Sequence, residues 1–124
     1  MEQLTVLLNR RNGLFNRSDL ATADLIYEFA STKSKFKFSH QINKEILQKL
    51  KILYENIKNR VDHAVYLDSD HYIMISTDMK EVSITTMIFS DDCYAETVNT
   101  VNIELFRMGL EKILLEIEKD PLVN

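Results

Sequence analysis

Between Asp62 and Asp92 the chain reads DHAVYLDSDHYIMISTDMKEVSITTMIFSDD, and this stretch constrains the fold more than any other. Val65, Leu67, Ile73, Ile75, Val82, Ile84 and Ile88 recur in it with period two, amid many β-branched residues. That spacing suits half-buried strands. Asp68-Ser69-Asp70 and Asp78-Met79-Lys80 interrupt it, and Asp and Ser favour turns because their side chains bond nearby backbone N–H groups. The simplest product is a three-stranded antiparallel meander over Ala64 to Phe89.

Pleat geometry then assigns Tyr66, Tyr72, Met74, Ser76, Ser83, Thr85, Met87 and Phe89 to the face opposite the aliphatic set. These are not the charged side chains of a solvated sheet. Layered packing leads us to expect a terminal helix over them. Left bare, they would offer a Tyr/Met/Phe patch of the kind enriched at interface cores. The meander also directs Asp68, Asp70 and His71 toward the same end of the sheet as Asp91, Asp92 and Cys93, as one acidic rim. Like charges about 4 Å apart cost only about 1 kcal/mol in water, so such a rim needs no counter-ion, although a basic partner would suit it.

The remaining sequence bounds the class. A chain of 124 residues, 45% hydrophobic and 27% charged, is long enough for a single core, and we expect one α+β domain over residues 1–124. It contains no apolar run of transmembrane length, and Met1-Glu2 does not open a signal peptide, so the expected location is the cytoplasm, without membrane attachment. The lone Cys93 allows no internal disulfide and fits a reducing compartment. With two glycines, Gly13 and Gly109, neither GxGxxG nor a P-loop can be written, which argues against nucleotide cofactors. Charge is uneven: residues 1–61 carry eleven Lys/Arg against six Asp/Glu (+5), and residues 62–124 carry four against thirteen (−9).

Helical expectations flank the meander. Leu4, Leu7 and Leu8 have helical spacing, with Asn12-Gly13 as a stop; a strand over Leu4 to Leu8 is the alternative. Ser18 is placed to cap a helix from Asp19 to about Ser31. KSKFKFS, Lys33 to Ser39, reads either as a nucleic-acid strip of lysines and stacking aromatics or as an edge strand whose lysines discourage aggregation. Ile42, Ile46, Leu50, Leu53, Ile57 and Val61 make a regular stripe for a helix from Ser39 to Arg60. A last helix is expected over Tyr94 to Lys119, capped by Asp91 or Asp92, with Thr97 to Ile103, TVNTVNI, as a competing fourth strand. The expected fold is a three- to four-stranded antiparallel sheet, N-terminal helices and a long C-terminal helix.

No catalytic constellation emerges. His40, His63 and His71 lack HxxxH or HExxH spacing, and Asp68-Ser69-Asp70-His71 lacks the glycine and glutamate of a calcium loop; turn and cap roles explain these aspartates, so no metal ligands are assigned. The expectation is a non-enzymatic, cofactor-free module that binds a basic protein. An immunity protein, antitoxin or inhibitor that neutralises a toxin or other enzyme would have this character. Its contact residues would be Asp68, Asp70, His71, Asp91, Asp92, Tyr66, Tyr72, Met74 and Phe89. A homodimer is compatible with the same features. The alternatives are a nucleic-acid-associated regulator using Lys33, Lys35, Lys37 and the basic helix, which the −9 half disfavours, and a metal-dependent hydrolase at the acidic rim.

Overall fold

Seven strands and two helices are found among the described residues, which in this computed structural model are 2–10, 23–76, 78 and 80–119. Their order is β1 (Gln3–Arg10), β2 (Ala23–Ala30), β3 (Lys35–Ile42), α1 (Lys44–Asn59), β4 (His63–Tyr66), β5 (His71–Ile75), β6 (Glu81–Ser90), β7 (Cys93–Asn102) and α2 (Ile103–Glu118). The strands form two antiparallel sheets, β1-β2-β3 and β4-β5-β6-β7, each in chain order. The class is α+β. Each sheet is a meander whose last strand runs almost directly into a helix of sixteen residues.

The two strand-to-helix junctions use the same device. Asn43 Oδ1 accepts the Ile46 N–H at 2.9 Å, and Asn102 Oδ1 accepts those of Glu104 and Leu105 at 2.9 and 3.3 Å. Each satisfies amides that lack an intrahelical partner, while Glu45 and Glu104 put negative charge in the first turns, where the helix dipole favours it. At its other end α1 stops on Arg60 in the left-handed conformation (φ 56°), and the Val61 N–H returns to the Asn56 carbonyl at 2.9 Å.

A single core gathers the inner faces of both sheets and one side of each helix. Val6, Tyr27 and Phe38 lie in register across the first sheet, as do Ile75, Val82 and Val101 across the second. Ile46, Leu47, Leu50, Leu53 and Ile57 of α1 and Phe106, Leu110, Ile113 and Ile117 of α2 are buried against them. Helix α1 packs on β3, β4 and α2; helix α2 packs on β1, β6 and β7. Both helices therefore bridge the sheets.

The meander expected over Ala64 to Phe89 is present, with the fourth strand added. The helix expected from Asp19 to Ser31 is absent where it can be seen: Ala23–Ala30 is strand β2, and the proposed Ser18 cap, like Asn12-Gly13, lies outside the described residues. As the central strand, β2 has Leu25, Tyr27 and Phe29 buried on one face and Ile26 half-buried on the other, so apolar residues on both faces hide its alternation. The Gln3–Arg10 segment takes its strand alternative. Helix α1 starts at Lys44 with Asn43 as cap, not at Ser39; Ile42 ends β3, and Val61 is exposed. The C-terminal helix begins at Ile103, nine residues after Tyr94, because Cys93–Asn102 is strand, and Asp91-Asp92 form a hairpin turn instead of its cap.

Gly109 lets α2 lie close to β1. A Cβ on it would stand 3.0 Å from Val6 Cγ2 and 3.4 Å from Leu4 Cδ2. Gly109→Leu would force the helix away from the strand, and chemical denaturation should show a loss of about 1–3 kcal/mol. An unchanged midpoint would mean that the helix does not rest on β1 as described.

Candidate protein-binding face

Among the described residues no helix covers the outer face of the four-stranded sheet. The register places Tyr66, Tyr72, Thr85 and Val98 in one row across it, with Ala64, Met74, Ser83 and Thr100 in the next. Toward the other end follow the pairs Met87–Glu96 and Phe89–Tyr94. Tyr66, Val98, Phe89 and Tyr94 are 58%, 56%, 63% and 56% exposed, whereas Tyr72, Met74 and Met87 are half-buried. The rings pair: Tyr66 and Tyr72 have centroids 4.6 Å apart, and Phe89 and Tyr94 5.2 Å. The covering helix anticipated from layered packing is not found among the described residues, whose two helices both lie on the opposite, core-facing side.

The β6–β7 hairpin extends beyond its neighbours. β5 begins at His71, opposite Thr86, whereas β6 continues to Ser90. Among the described residues the hairpin past Thr86 has no third strand on the β5 side except where the Met87 N–H reaches the Asp70 carbonyl at 2.7 Å. Both of its faces are consequently open. Ile88, whose spacing assigns it to the core, is 54% exposed, and Cys93 and Ala95 are exposed beside it. Tyr94 donates its hydroxyl proton to Glu96 Oε2 at 2.7 Å, a bond that raises the Tyr94 pKa.

The anticipated acidic rim is divided by this overhang. Asp70 sits opposite Met87, and Asp91 lies four residues further along the hairpin, about 13 Å at strand rise. Asp68 is half-buried and accepts the Asp70 backbone N–H at 2.9 Å, the local bond that makes aspartate a turn residue. It also accepts His71 Nδ1–H, at 2.9 and 3.1 Å to its two oxygens. Asp70, Asp91 and Asp92 are exposed. Among the described residues no group of three or more His, Cys, Asp or Glu is arranged to hold a metal ion.

His71 does not join the rim. Its ring is buried on the core side, 5.3 Å from Phe38 and 6.3 Å from His40 between ring centroids. His40 lies in a polar network that spans the first sheet. Its Nδ1–H donates to the Gln41 carbonyl at 2.8 Å, which leaves Nε2 to accept the Tyr27 hydroxyl proton, also at 2.8 Å. Burial pushes the Tyr27 hydroxyl up and the His40 imidazole down, the latter against smaller opposing effects of the Gln41 carbonyl and the Asp68 charge. The neutral forms therefore predominate, and the Tyr27 ring is fully buried.

Sequence reasoning identified Tyr66, Tyr72, Met74 and Phe89 on this face and missed Tyr94, Glu96 and Val98. Part of the signal was present in TVNTVNI: once that strand is extended back to Cys93 and hairpinned to β6, pleat alternation puts Val98 opposite Thr85, Glu96 opposite Met87 and Tyr94 opposite Phe89. The lysine-aromatic strip resolves as the edge strand β3. Phe38 is buried and Phe36 half-buried, while Lys35 and Lys37 point outward and Lys37 pairs with Glu28 at 3.6 Å.

His40 gives the fold a pH dependence of defined sign. The unfolded chain takes up a proton near the ordinary value of 6.5, and the folded chain resists it. The unfolded state then binds more protons, so stability is full above pH 6.5 and falls on acidification until the lower folded-state pKa is reached, with a slope of up to about 1.4 kcal/mol per pH unit. Thermal melts between about pH 7.5 and about pH 5.5, each bound about one unit from that value, should show this slope in the natural chain and a flatter one in His40→Gln. Parallel profiles would remove His40 as the cause. No protein-family model, curated protein or solved structure matches the chain.

Proposed function

We propose that the protein is a protein-binding module, with the outer face of the four-stranded sheet and the overhanging hairpin as its contact surface. The observation that carries this reading is the bare row of aromatic and aliphatic side chains, Tyr66, Tyr72, Val98, Phe89 and Tyr94, on a sheet whose other face forms the core. Exposed groups of this kind supply binding anchors, because a rigid ring buries a large area at little entropic cost.

The partner we favour is basic. Residues 62–104 contain nine Asp/Glu and one Lys, and Asp70, Asp91, Asp92 and Glu96 border the apolar row. Carboxylates in this position accelerate docking onto a cationic surface and orient the partner before the rings engage. A protein that neutralises a basic enzyme or toxin, as an immunity protein, antitoxin or inhibitor does, would use the surface in this manner. The nucleic-acid alternative is less well supported, since Phe36 and Phe38 turn inward and leave the β3 lysines without stacking partners. A hydrolytic metal site would need the two acidic pairs that the hairpin holds apart.

The test is capture of the tagged chain with its ligands from native cell extract after nuclease treatment, alongside two variants. Phe89→Ser with Tyr66→Ser should abolish retention while costing little stability, since surface substitutions of this kind usually stay within about 0.5 kcal/mol. Asp91→Lys with Asp92→Lys should slow association by about tenfold or more at low salt. A basic protein recovered one-to-one and sensitive to both variants would support the reading. A partner indifferent to both would exclude this face.

A further inference from the structure

We infer that β7 pairs with β7 of a second copy, joining two four-stranded sheets into one continuous antiparallel sheet of eight strands. The pairing uses the edge and leaves the face free, so it stands or falls independently of the partner proposed above.

Two hydrogen bonds fix the direction of the edge groups. The Met87 N–H donates to the Asp70 carbonyl, on the β5 side, and the Ile103 N–H donates to the Lys80 carbonyl, continuing the β6–β7 ladder. In an antiparallel sheet each residue turns both backbone groups to one neighbour and the next residue turns them to the other. Odd-numbered residues of β6 therefore serve β5 and even-numbered ones serve β7. Through the register Ile84↔Asn99 and Thr85↔Val98, Tyr94, Glu96, Val98, Thr100 and Asn102 turn their N–H and C=O groups outward from β7. Among the described residues this is a ladder half without a mate.

Edges of this kind are ordinarily blunted by lysine, proline or short length. The other edge of the same sheet, β4, has four residues, and Lys49 Nζ donates to its Tyr66 carbonyl at 2.9 Å. The β3 edge of the first sheet carries Lys35 and Lys37. In contrast, β7 is ten residues long, CYAETVNTVN, with no lysine, arginine or proline and Glu96 as its one charge.

The strand is also complementary to itself. With a two-fold axis at Val98, Val98 faces Val98 of the second copy, Glu96 faces Thr100 and Tyr94 faces Asn102. The single charge thus meets a hydroxyl and not its own copy, and every outward backbone group from Tyr94 to Asn102 is satisfied. The row Tyr66, Tyr72, Thr85, Val98 continues across the axis into its symmetry mate. A paired strip about 30 Å long and 10 Å wide buries about 600 Å² in total, below the range of stable interfaces. The dimer is accordingly a rapidly exchanging one, of micromolar affinity or weaker.

Sedimentation of the full chain over a dilution series from about 1 μM to about 0.5 mM, which brackets a micromolar Kd, tests this. The natural chain should sediment as a dimer at the upper end, more completely as salt screens the repulsion between two copies of charge −4. Val98→Pro removes an outward N–H without touching the β6 ladder and should raise the Kd by about tenfold or more; Val98→Lys, which sets two cations together at the axis, is the second variant should the first misfold. In a Cys93→Ser background, Val98→Cys should oxidise to a disulfide-linked dimer, because opposed residues of such a pair lie about 5.5 Å apart, and Thr100→Cys should not. A monomeric natural chain, a dimer unaffected by either Val98 variant, or preferential cross-linking at residue 100 would each overturn the assignment.

Discussion

Two helices of sixteen residues must cover two sheets, and the exposed surfaces follow from that constraint. A sheet half-buried on each face would need layers on both sides, and the described residues supply only enough helix for one. The helices are spent jointly: each bridges both sheets, so that the two inner faces, the stripe of α1 and the stripe of α2 close a single core around Leu50, Leu53, Phe106 and Leu110. Among the described residues no element is left to shield the second face of the larger sheet. Its aromatic row is thus a product of how the helices are allocated.

The core itself is tied by a polar element. Tyr27, fully buried, stacks on Phe38 with centroids 4.2 Å apart and gives its hydroxyl to His40. Phe38 in turn meets His71 from the other sheet, and His71 is anchored by Asp68 in the β4–β5 turn. Polar groups are thereby held in the interior with their hydrogen bonds made, and among the described residues no buried side-chain nitrogen or oxygen lacks a partner. A satisfied network of this kind specifies one sheet-to-sheet arrangement more sharply than aliphatic contact does, since a shifted packing would leave polar atoms bare. The same network explains why the acidic rim is smaller than the sequence suggests: Asp68 faces inward as much as outward.

Local pattern was informative wherever an element has one wet face and one dry face. Helix α1 was legible from Ile46, Leu50, Leu53 and Ile57, and β5 from Ile73 and Ile75, because burial alternates with the period of the backbone. It failed where the two faces are alike. In β2 both faces carry apolar residues, and ADLIYEFA passes for a helix. In the distal part of β7 both faces are exposed, and Thr, Asn and Ala alternate without contrast. The helix starts were displaced for a related reason: Ile42 and Val101 extend the helical stripes by one step, but belong to strands, and the true boundary is set by the asparagine that follows each. The site was legible to the extent that the meander was, which gives the aromatic face but not the contribution of β7.

The hairpin past Thr86 is attached to the fold by one pair of strands and contributes almost nothing to the core. Substitutions at Ile88, Phe89, Tyr94 or Ala95 therefore displace few packed atoms, and their cost in folding free energy is small. Residues of the central rows, such as Ile73 or Val82, have no such latitude. The molecule is in this sense divided into a conservative body and a permissive arm. Under the function proposed above, changes in what the arm recognises would accumulate there without being rejected first for instability, which would suit it to follow a partner that itself changes.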